Sequence, residues 1–499
     1  MAQAEPGITL IRNARIADAS LRRAAPGDVL IEDGVIRAVG TDLTVPAHAR
    51  IIDATGMLIH PGLINGHTHG HGGLARGMGD KWTLELLLAA APWIGGNRAL
   101  ADKKLATQII AAEMVMKGCT AAYDLYSELP LPTVEGMDAV AEAYSGIGMR
   151  AVIAPMVADR TVYDAIPGLR DALPDSVQKD VDKLRLRPWQ DTLSAMETVM
   201  KGWSWADQDI RYAIAPTIPH HCSDEFLNGC ACMARDHGLA VHTHVGESKV
   251  QAIVGMKRYG KTLLQHMDAM GLVSERFTAA HAIWLDDDDM RLAADRGASL
   301  VHNPGSNMRL GNGMFALRRA LDLGVNVGLG TDGANCSDNQ NMYEAMRYAS
   351  MLSKVQTPDP REWASTEECY AAATTGSARA LGFEDIGAIA PGMKADIVFL
   401  TLGHVNWIPH NGTVNQLVHA EDGNAVRHVM IGGKFVVQDG KLLTLDLAKL
   451  ADEAEAARER LEALNAEYGD LYERVAPIIS SFCPGMAAKP YHIRRYICD

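Results

Sequence analysis

Nowhere does the chain run through the roughly 20 consecutive apolar residues that a bilayer-crossing helix needs, which excludes a membrane-spanning helix. The opening MAQAEPGITL has no basic stretch ahead of an apolar one, so no secretory leader is expected. Basic residues are in the minority: 47 Lys and Arg face 61 Asp and Glu, a formal charge of −14. The acidic residues are spread along the chain, whereas a nucleic-acid binder would show a basic face. The eight cysteines form no CxxC pair, the closest being Cys230 and Cys232. Reduced thiols in a soluble, cytoplasmic protein are therefore expected, not a disulfide scaffold. Internal repeats and low-complexity linkers are missing as well.

What is present is apolar and regularly interrupted. With 47% hydrophobic residues over 499 positions, the chain can bury at least one large core. Eight candidate strands follow one another: MLIHPGLINGH, CTAAYDLY, MRAVIAPMVA, IRYAIAPTI, LAVHTHVGE, RFTAAHAIWL, GASLVHNPG and VNVGLGTDG. Each is a continuous apolar run, as expected of strands covered on both faces. Longer segments of helical spacing separate them, such as ADKKLATQIIAAEMVMKG and GMFALRRALDLG. The fold class is α/β, and the pattern predicts a (β/α)8 barrel over residues 61–385. A doubly wound open sheet is the rival. It does not explain why reactive residue types gather at the C-terminal ends of so many strands.

The two flanks read differently. DVLIEDGVIRAVG is a pair of β-rich runs joined across Asp33-Gly34, a hairpin turn pair. The same texture returns in ADIVFL and RHVMIGGKFVVQDGKLL, punctuated by Gly432-Gly433 and Asp439-Gly440. Residues 1–60 plus 386–445 are expected to form one small β-sandwich domain, joined in space. In the tail, 446–499, Leu447, Leu450, Ala454, Ala457, Leu461, Leu464, Tyr468 and Leu471 recur three and four apart. That spacing predicts an amphipathic helix, packed on its own barrel or offered to another subunit.

The stretch GLINGHTHGHGG, residues 62–73, ends an apolar run in three histidines spaced by two. Positions i and i+2 of a strand point to one side. His67 and His69 would thus face the barrel axis at a strand's C-terminal end, where barrel enzymes keep their active sites. Alone, the pair reads equally as metal ligands or as polar loop residues. His71, farther into the Gly-rich loop, belongs at the mouth. Downstream, strand five ends HTHVGE, strand six AAHAIW and strand eight GLGTDG, each bringing imidazole or carboxylate to the same rim. His242 shares a side with His244 but sits one layer deeper. Neutral imidazole and carboxylate suit a divalent ion such as Zn or Fe, and three histidines with Asp332 leave a position open for water.

At this point the sequence resembles the amidohydrolase superfamily. The resemblance rests on PGLINGHTH, HTHVGE, AAH, HNPGSNMRLGNG and GLGTDG, and covers the chain to about residue 440. The branch it is most similar to holds the cytosine, guanine, methylthioadenosine and S-adenosylhomocysteine deaminases and the chlorotriazine hydrolases. The resemblance implies that His67, His69, His244 and Asp332 bind one metal ion. It makes Glu247 the proton shuttle, and His281 the residue that orients the attacking water or polarises the forming oxyanion. It further implies a homodimer or higher homo-oligomer. Other branches bridge two metals with a carboxylated lysine on strand four; IRYAIAPTI has none, which points to a mononuclear site.

The chemistry also stands on the residues alone. A divalent ion lowers the pKa of bound water from about 15.7 toward about 7, and Asp332 can take the proton. Expelling ammonia from an aminated ring carbon needs a proton on the ring nitrogen and then on the leaving group. Glu247 is placed to carry it, a contribution of roughly 10² to 10⁴-fold. The plain alternative for Glu247 is a salt bridge to Lys249 or a solvated loop position. Asn303, Ser306, Asn307 and Arg309 could hydrogen-bond a polar heterocycle, though Asn-Pro-Gly-Ser is also a turn former. Trp82 could stack on a ring or cover the core. The S-adenosylhomocysteine deaminases usually carry a substrate-binding histidine at the end of strand four, in a pattern like GPHSP. This chain has APTIP with Thr217 there, which points away from an adenosine-type substrate, and GANCSDNQNM after Asp332 is similar to the triazine hydrolases. The expected reaction is hydrolytic deamination of a pyrimidine, purine, pterin or triazine. Triazine dechlorination or dealkylamination, amide or carbamate hydrolysis, and a non-enzymatic scaffold are the rivals.

Overall fold

The computed structural model describes residues 7–17 and 22–496. Residues 1–6, read above for a leader, lie outside the described residues, as do 18–21 and 497–499 of the terminal segments. The chain enters through β1 (Ile8–Ile16), β2 (Ala25–Glu32), β3 (Val35–Gly40), β4 (Arg50–Asp53) and β5 (Met57–Pro61). It continues through β6 (Leu63–Thr68), β7 (Cys119–Tyr126), β8 (Arg150–Val157), β9 (Ile210–Tyr212) and β10 (Ala215–Pro216). Then come β11 (Val241–Val245), β12 (Phe277–His281), β13 (Ser299–His302) and β14 (Asn326–Leu329). It returns in β15 (Ile397–Thr401), β16 (Val426–Ile431), β17 (Lys434–Gln438) and β18 (Lys441–Leu442).

β6 to β14 form the barrel. Parallel ladders order them β6-β7-β8-β10 and β11-β12-β13-β14, with β9 also on β8. The halves meet where His242 N–H donates to Ile214 O at 3.0 Å and where Asp332 N–H donates to His67 O at 2.9 Å. β7, β11, β12 and β13 are buried along their whole length, which is why they read as unbroken apolar runs. The result is a TIM barrel of the α/β class with parallel sheets.

Two strand expectations need correction. MLIHPGLINGH is not one strand: β5 belongs to the terminal sheet and β6 to the barrel, with the break at Gly62. There the chain crosses so close to β7 that a Cβ would lie 2.1 Å from Thr120 Oγ1. IRYAIAPTI likewise splits into β9 and β10, sharing one barrel position.

The terminal strands make one nine-stranded sheet, ordered β18-β17-β16-β15-β5-β1-β2-β3, with β4 on β1. Its tightest turns are the three pairs read from sequence. Asp33-Gly34, Gly432-Gly433 and Asp439-Gly440 all have positive φ, as a two-residue hairpin turn of type I′ requires. The first two turns pack on each other, since a Cβ on Gly34 would meet Gly432 O at 2.6 Å. Sheet and barrel are joined by Arg150 at the start of β8, whose Nε and Nη2 donate to the Asp396 carboxylate at 2.8 and 3.0 Å, both groups buried.

The tail is two helices, not one. Leu447–Leu464 buries Leu450, Ala457 and Leu461, while Leu447 and Leu464 of the expected stripe stay exposed. The chain corners at Asn465, whose amide donates to Gly96 O at 3.0 Å. Ala466–Ala487 then buries Leu471, Val475 and Ile479 in a cluster shared with the helix Leu84–Gly95. Among the described residues no helix is long and apolar enough to cross a membrane.

Candidate metal centre and active site

His67 lies near the end of β6 and His69 just beyond it, His244 lies near the end of β11, His281 ends β12, and Asp332 follows β14. Parallel barrel strands aim these ends at one rim. His69 Nδ1 lies 2.7 Å from Leu125 O, and His244 Nδ1 2.5 Å from Thr217 O. A carbonyl oxygen only accepts, so both Nδ1 atoms carry a proton, and in the neutral rings both Nε2 atoms present lone pairs. Those two Nε2 atoms face each other at 3.2 Å, and Asp332 Oδ1 is 3.2 Å from His69 Nε2. Lone pairs and a carboxylate converging this tightly call for a cation between them.

The remaining donors point the same way. Both ring nitrogens of fully buried His67 lack a hydrogen-bond partner, as does His281 Nε2. Buried polar atoms are rarely left so. Donor atoms of His67, His69 and His244 lie within 4.8 Å of one another, as do those of His67, His281 and Asp332. Burial depresses His67 to about 3, keeping it neutral, and holds His244 well below its usual value. Burial also acts to lower His69, but Asp332 outweighs it and the value is raised. Burial acts to raise Asp332, yet His67 and His69 hold it well below the carboxylate range. The donor set fits a divalent metal ion. Backbone strain clusters here too: His281, Ala282 and Asp332 have φ of 69°, 52° and 63°, a conformation costing about 1–3 kcal/mol each.

Glu247 follows β11 and is only 2% exposed, so it is no solvated loop residue. Asn312 Nδ2 donates to its Oε1 at 3.2 Å and Gln251 Nε2 to its Oε2 at 3.4 Å. Burial first, then Asp332 and Glu85, pushes the carboxyl well above the usual range. His281 Nε2 stands 3.8 Å from both Glu247 Oε2 and Asp332 Oδ2. Asn307 Oδ1 sits 2.9 Å from His281 Nδ1, and Asn307 Nδ2 faces His302 Nδ1 at 3.3 Å. In that arrangement Asn307 accepts from His281, whose free Nε2 lone pair is aimed between the two carboxyl groups.

A cavity opens above this floor, walled by His69, His244, Glu247, Asp332 and Thr217. Its opposite wall is apolar: Leu84, Leu87, Leu88 and Ala91 from one face of the helix Leu84–Gly95. Their spacing of three and four is the sequence signal for that wall. His71 lines the mouth, its Nδ1 accepting from Ser127 N–H at 3.1 Å. His242 lies deeper, its ring 4.9 Å from that of His67 and 4.3 Å from that of Tyr123.

Of the residues read as substrate contacts, Thr217 reaches the cavity wall and the others do not. The short helix Pro304–Arg309 turns this loop inward, leaving Asn303, Ser306 and Asn307 fully buried. Asn307 serves His281 instead. Trp82 packs against Trp93 and Tyr472, ring centroids 6.4 and 5.7 Å away. Asn312, which holds Glu247, was not singled out: nothing in its local sequence distinguishes it from a turn residue.

Residues 58–436 match the amidohydrolase family. The chain is 34% identical to the 5'-deoxyadenosine deaminase of Methanothermobacter thermautotrophicus, over 91% of this chain and 98% of that one. It is 32% identical to the 5-methylthioadenosine/S-adenosylhomocysteine deaminase of Pyrococcus furiosus, over 89% and 98%. In structure it resembles an adenosine deaminase from Xanthomonas campestris with bound zinc (TM-score 0.80, 26% identity, 91% and 98% covered). It also resembles atrazine chlorohydrolase from Arthrobacter aurescens TC1 complexed with zinc (TM-score 0.80, 25% identity, 90% and 100% covered). Similarity therefore runs to nucleoside deaminases despite Thr217. With a match that spans the barrel and a rim that carries the donor set, the chain belongs to the amidohydrolase family and is a metal-dependent hydrolase.

Proposed function

We propose that this protein hydrolytically deaminates an amino-substituted nitrogen heterocycle, and that an adenine nucleoside with an apolar 5' end heads the candidates. The observation that carries the reading is Glu247, a buried carboxyl held by the Asn312 and Gln251 amides beside the converging histidines, where burial pushes its pKa up. The relatives' names bring the 5'-deoxyadenosine and methylthioadenosine classes forward. The apolar wall of Leu84, Leu87, Leu88 and Ala91 suits a substituent that carries no charge.

In this reading His67, His69, His244 and Asp332 would hold one zinc ion, which when bound would supply Lewis acidity to the attacking water. A single ion agrees with the lack of lysine in β9 and β10. Asp332 takes the water's proton, and His281 orients that water through its free Nε2. Glu247 gives its proton to the ring nitrogen at the attacked carbon, takes one from the added hydroxyl as the carbonyl forms and passes it to the departing amine; the proton on Asp332 then restores Glu247. Asn312 and Gln251 hold the Glu247 carboxyl in line for both transfers. Thr217 contributes its carbonyl to His244 and its side chain to the cavity wall.

Dechlorination of a triazine is the second reading, favoured by Thr217 and by the likeness to the chlorohydrolase. Purified protein should release ammonia from 5'-deoxyadenosine or another member of a panel of purines, pyrimidines, pterins and aminotriazines. Chloride from atrazine with no ammonia from any of the panel would overturn the first reading in favour of the second. We also take residues 61–385 as a barrel domain, 1–60 with 386–445 as a composite β-domain, and 446–499 as a tail. A cytoplasmic home is supported by free, buried thiols such as Cys119, Cys222, Cys230 and Cys369. A homodimer is our expectation, to be checked by sedimentation.

A further inference from the structure

We propose that the C-terminal segment 491–496 is a positioning element for Glu247, acting through Trp284 and Asn312. The segment folds back beyond the last helix onto the loop that follows β12. Arg495 Nε donates to Ile283 O and its Nη2 to Leu285 O, each at 2.7 Å, so the guanidinium grips the chain on both sides of Trp284. Tyr491 and Tyr496 pack edge-on to the Trp284 indole, centroids 6.0 and 5.2 Å away. His492 Nε2 reaches Asp286 Oδ2 at 2.8 Å.

From Trp284 the chain of contacts turns inward. Its indole N–H donates to Asn312 O at 2.9 Å, and Asn312 Nδ2 donates to Glu247 Oε1 at 3.2 Å. The segment also fixes the Asn312 loop from the other side. Arg495 O accepts from Met314 N–H at 2.9 Å, and a Cβ on the intervening Gly313, at φ 113°, would meet that oxygen at 3.1 Å. Trp284, buried to 1% exposure, has no latitude to move alone. A carboxyl that must meet a ring nitrogen and then a leaving amine is sensitive to misplacement of about 1 Å. Arg495, Tyr491, Tyr496, Trp284 and Asn312 are therefore positioning residues, and none of them needs to touch substrate.

The catalytic arm of this inference rests on Glu247 being the proton carrier; the structural arm does not. Replacing Arg495 by Ala in the full-length, metal-loaded protein is the test. The Trp284 indole resonance, assigned by its loss in Trp284→Phe, should shift, and its hydrogen exchange should quicken at least tenfold. With metal content unchanged, kcat for the best aminated substrate should fall at least fivefold, with KM within twofold. In a Glu247→Gln background the same Arg495→Ala change should alter kcat less than 1.5-fold, because residues acting through one partner are not additive. An unmoved indole overturns the inference, and so does an equal loss of kcat in both backgrounds. Removal of residues 491–499 is the second variant and should give the larger effect in the same pattern. A protein that deaminates nothing, yet shows the indole response, refutes the functional reading and leaves the coupling standing.

Discussion

Glu247 and its neighbours turn burial into reactivity. A carboxyl kept out of water retains its proton to higher pH than a free one, and retained protons can be given away. Glu247→Gln keeps the shape but has no proton to transfer, and it can accept from only one of the Asn312 and Gln251 amides. It should keep its metal by elemental analysis while kcat/KM falls by roughly 10² to 10⁴-fold. His69→Ala, by contrast, removes one of the two facing Nε2 atoms. It should lower the bound metal along with the activity, and a chelator should reproduce the loss in the unaltered protein, reversed by added zinc. Asp289 shows the same physics away from the site. Burial raises it from 3.8 to about 7, although the Thr262 hydroxyl donates to it at 2.5 Å. Folding thus favours its protonated form. The resulting stability is fully present below about 4 and is lost as pH rises to about 7. Thermal melts at pH 5 and pH 8 should differ by a smaller margin in Asp289→Asn than in the parent.

Among elements, the crossing from terminal sheet to barrel is the most exacting. Gly62→Ala would drive a methyl into Thr120, and overpacking of this kind costs about 1–3 kcal/mol. Denaturant unfolding should show that loss, partly restored by Thr120→Ala. Where the sequence was legible, one local rule decided the outcome. Apolar runs became the parallel strands because both faces are covered, and glycine pairs became hairpin turns because few other residues accept positive φ. His67 and His69 were legible for the same reason, since strand alternation alone sends both to one side. Where it was not legible, a distant partner decided. The break at Gly62 depends on Thr120, the corner at Asn465 on Gly96, and the role of Asn307 on His281, 26 residues away. Polarity marks such a side chain as able to bind something, without saying whether it is substrate or protein.

For the whole molecule, the joint between sheet and barrel is a buried ion pair far from the chemistry. Arg150 meets Asp396 at the start of its strand, and barrels keep stability at that end and catalysis at the other. Arg150→Ala strands a buried carboxylate, which typically costs about 3–5 kcal/mol. The variant should unfold at lower denaturant while its kcat at low temperature stays near that of the parent. The terminal sheet itself has a consequence for biosynthesis. β5 is hydrogen-bonded between β1 and β15, yet β15 begins at Ile397, long after Pro61 has left the ribosome. At about 5–20 residues per second, that edge waits on the order of tens of seconds for its mate. During that wait the nascent chain exposes an open strand beside a growing barrel, which makes it a natural client for chaperones.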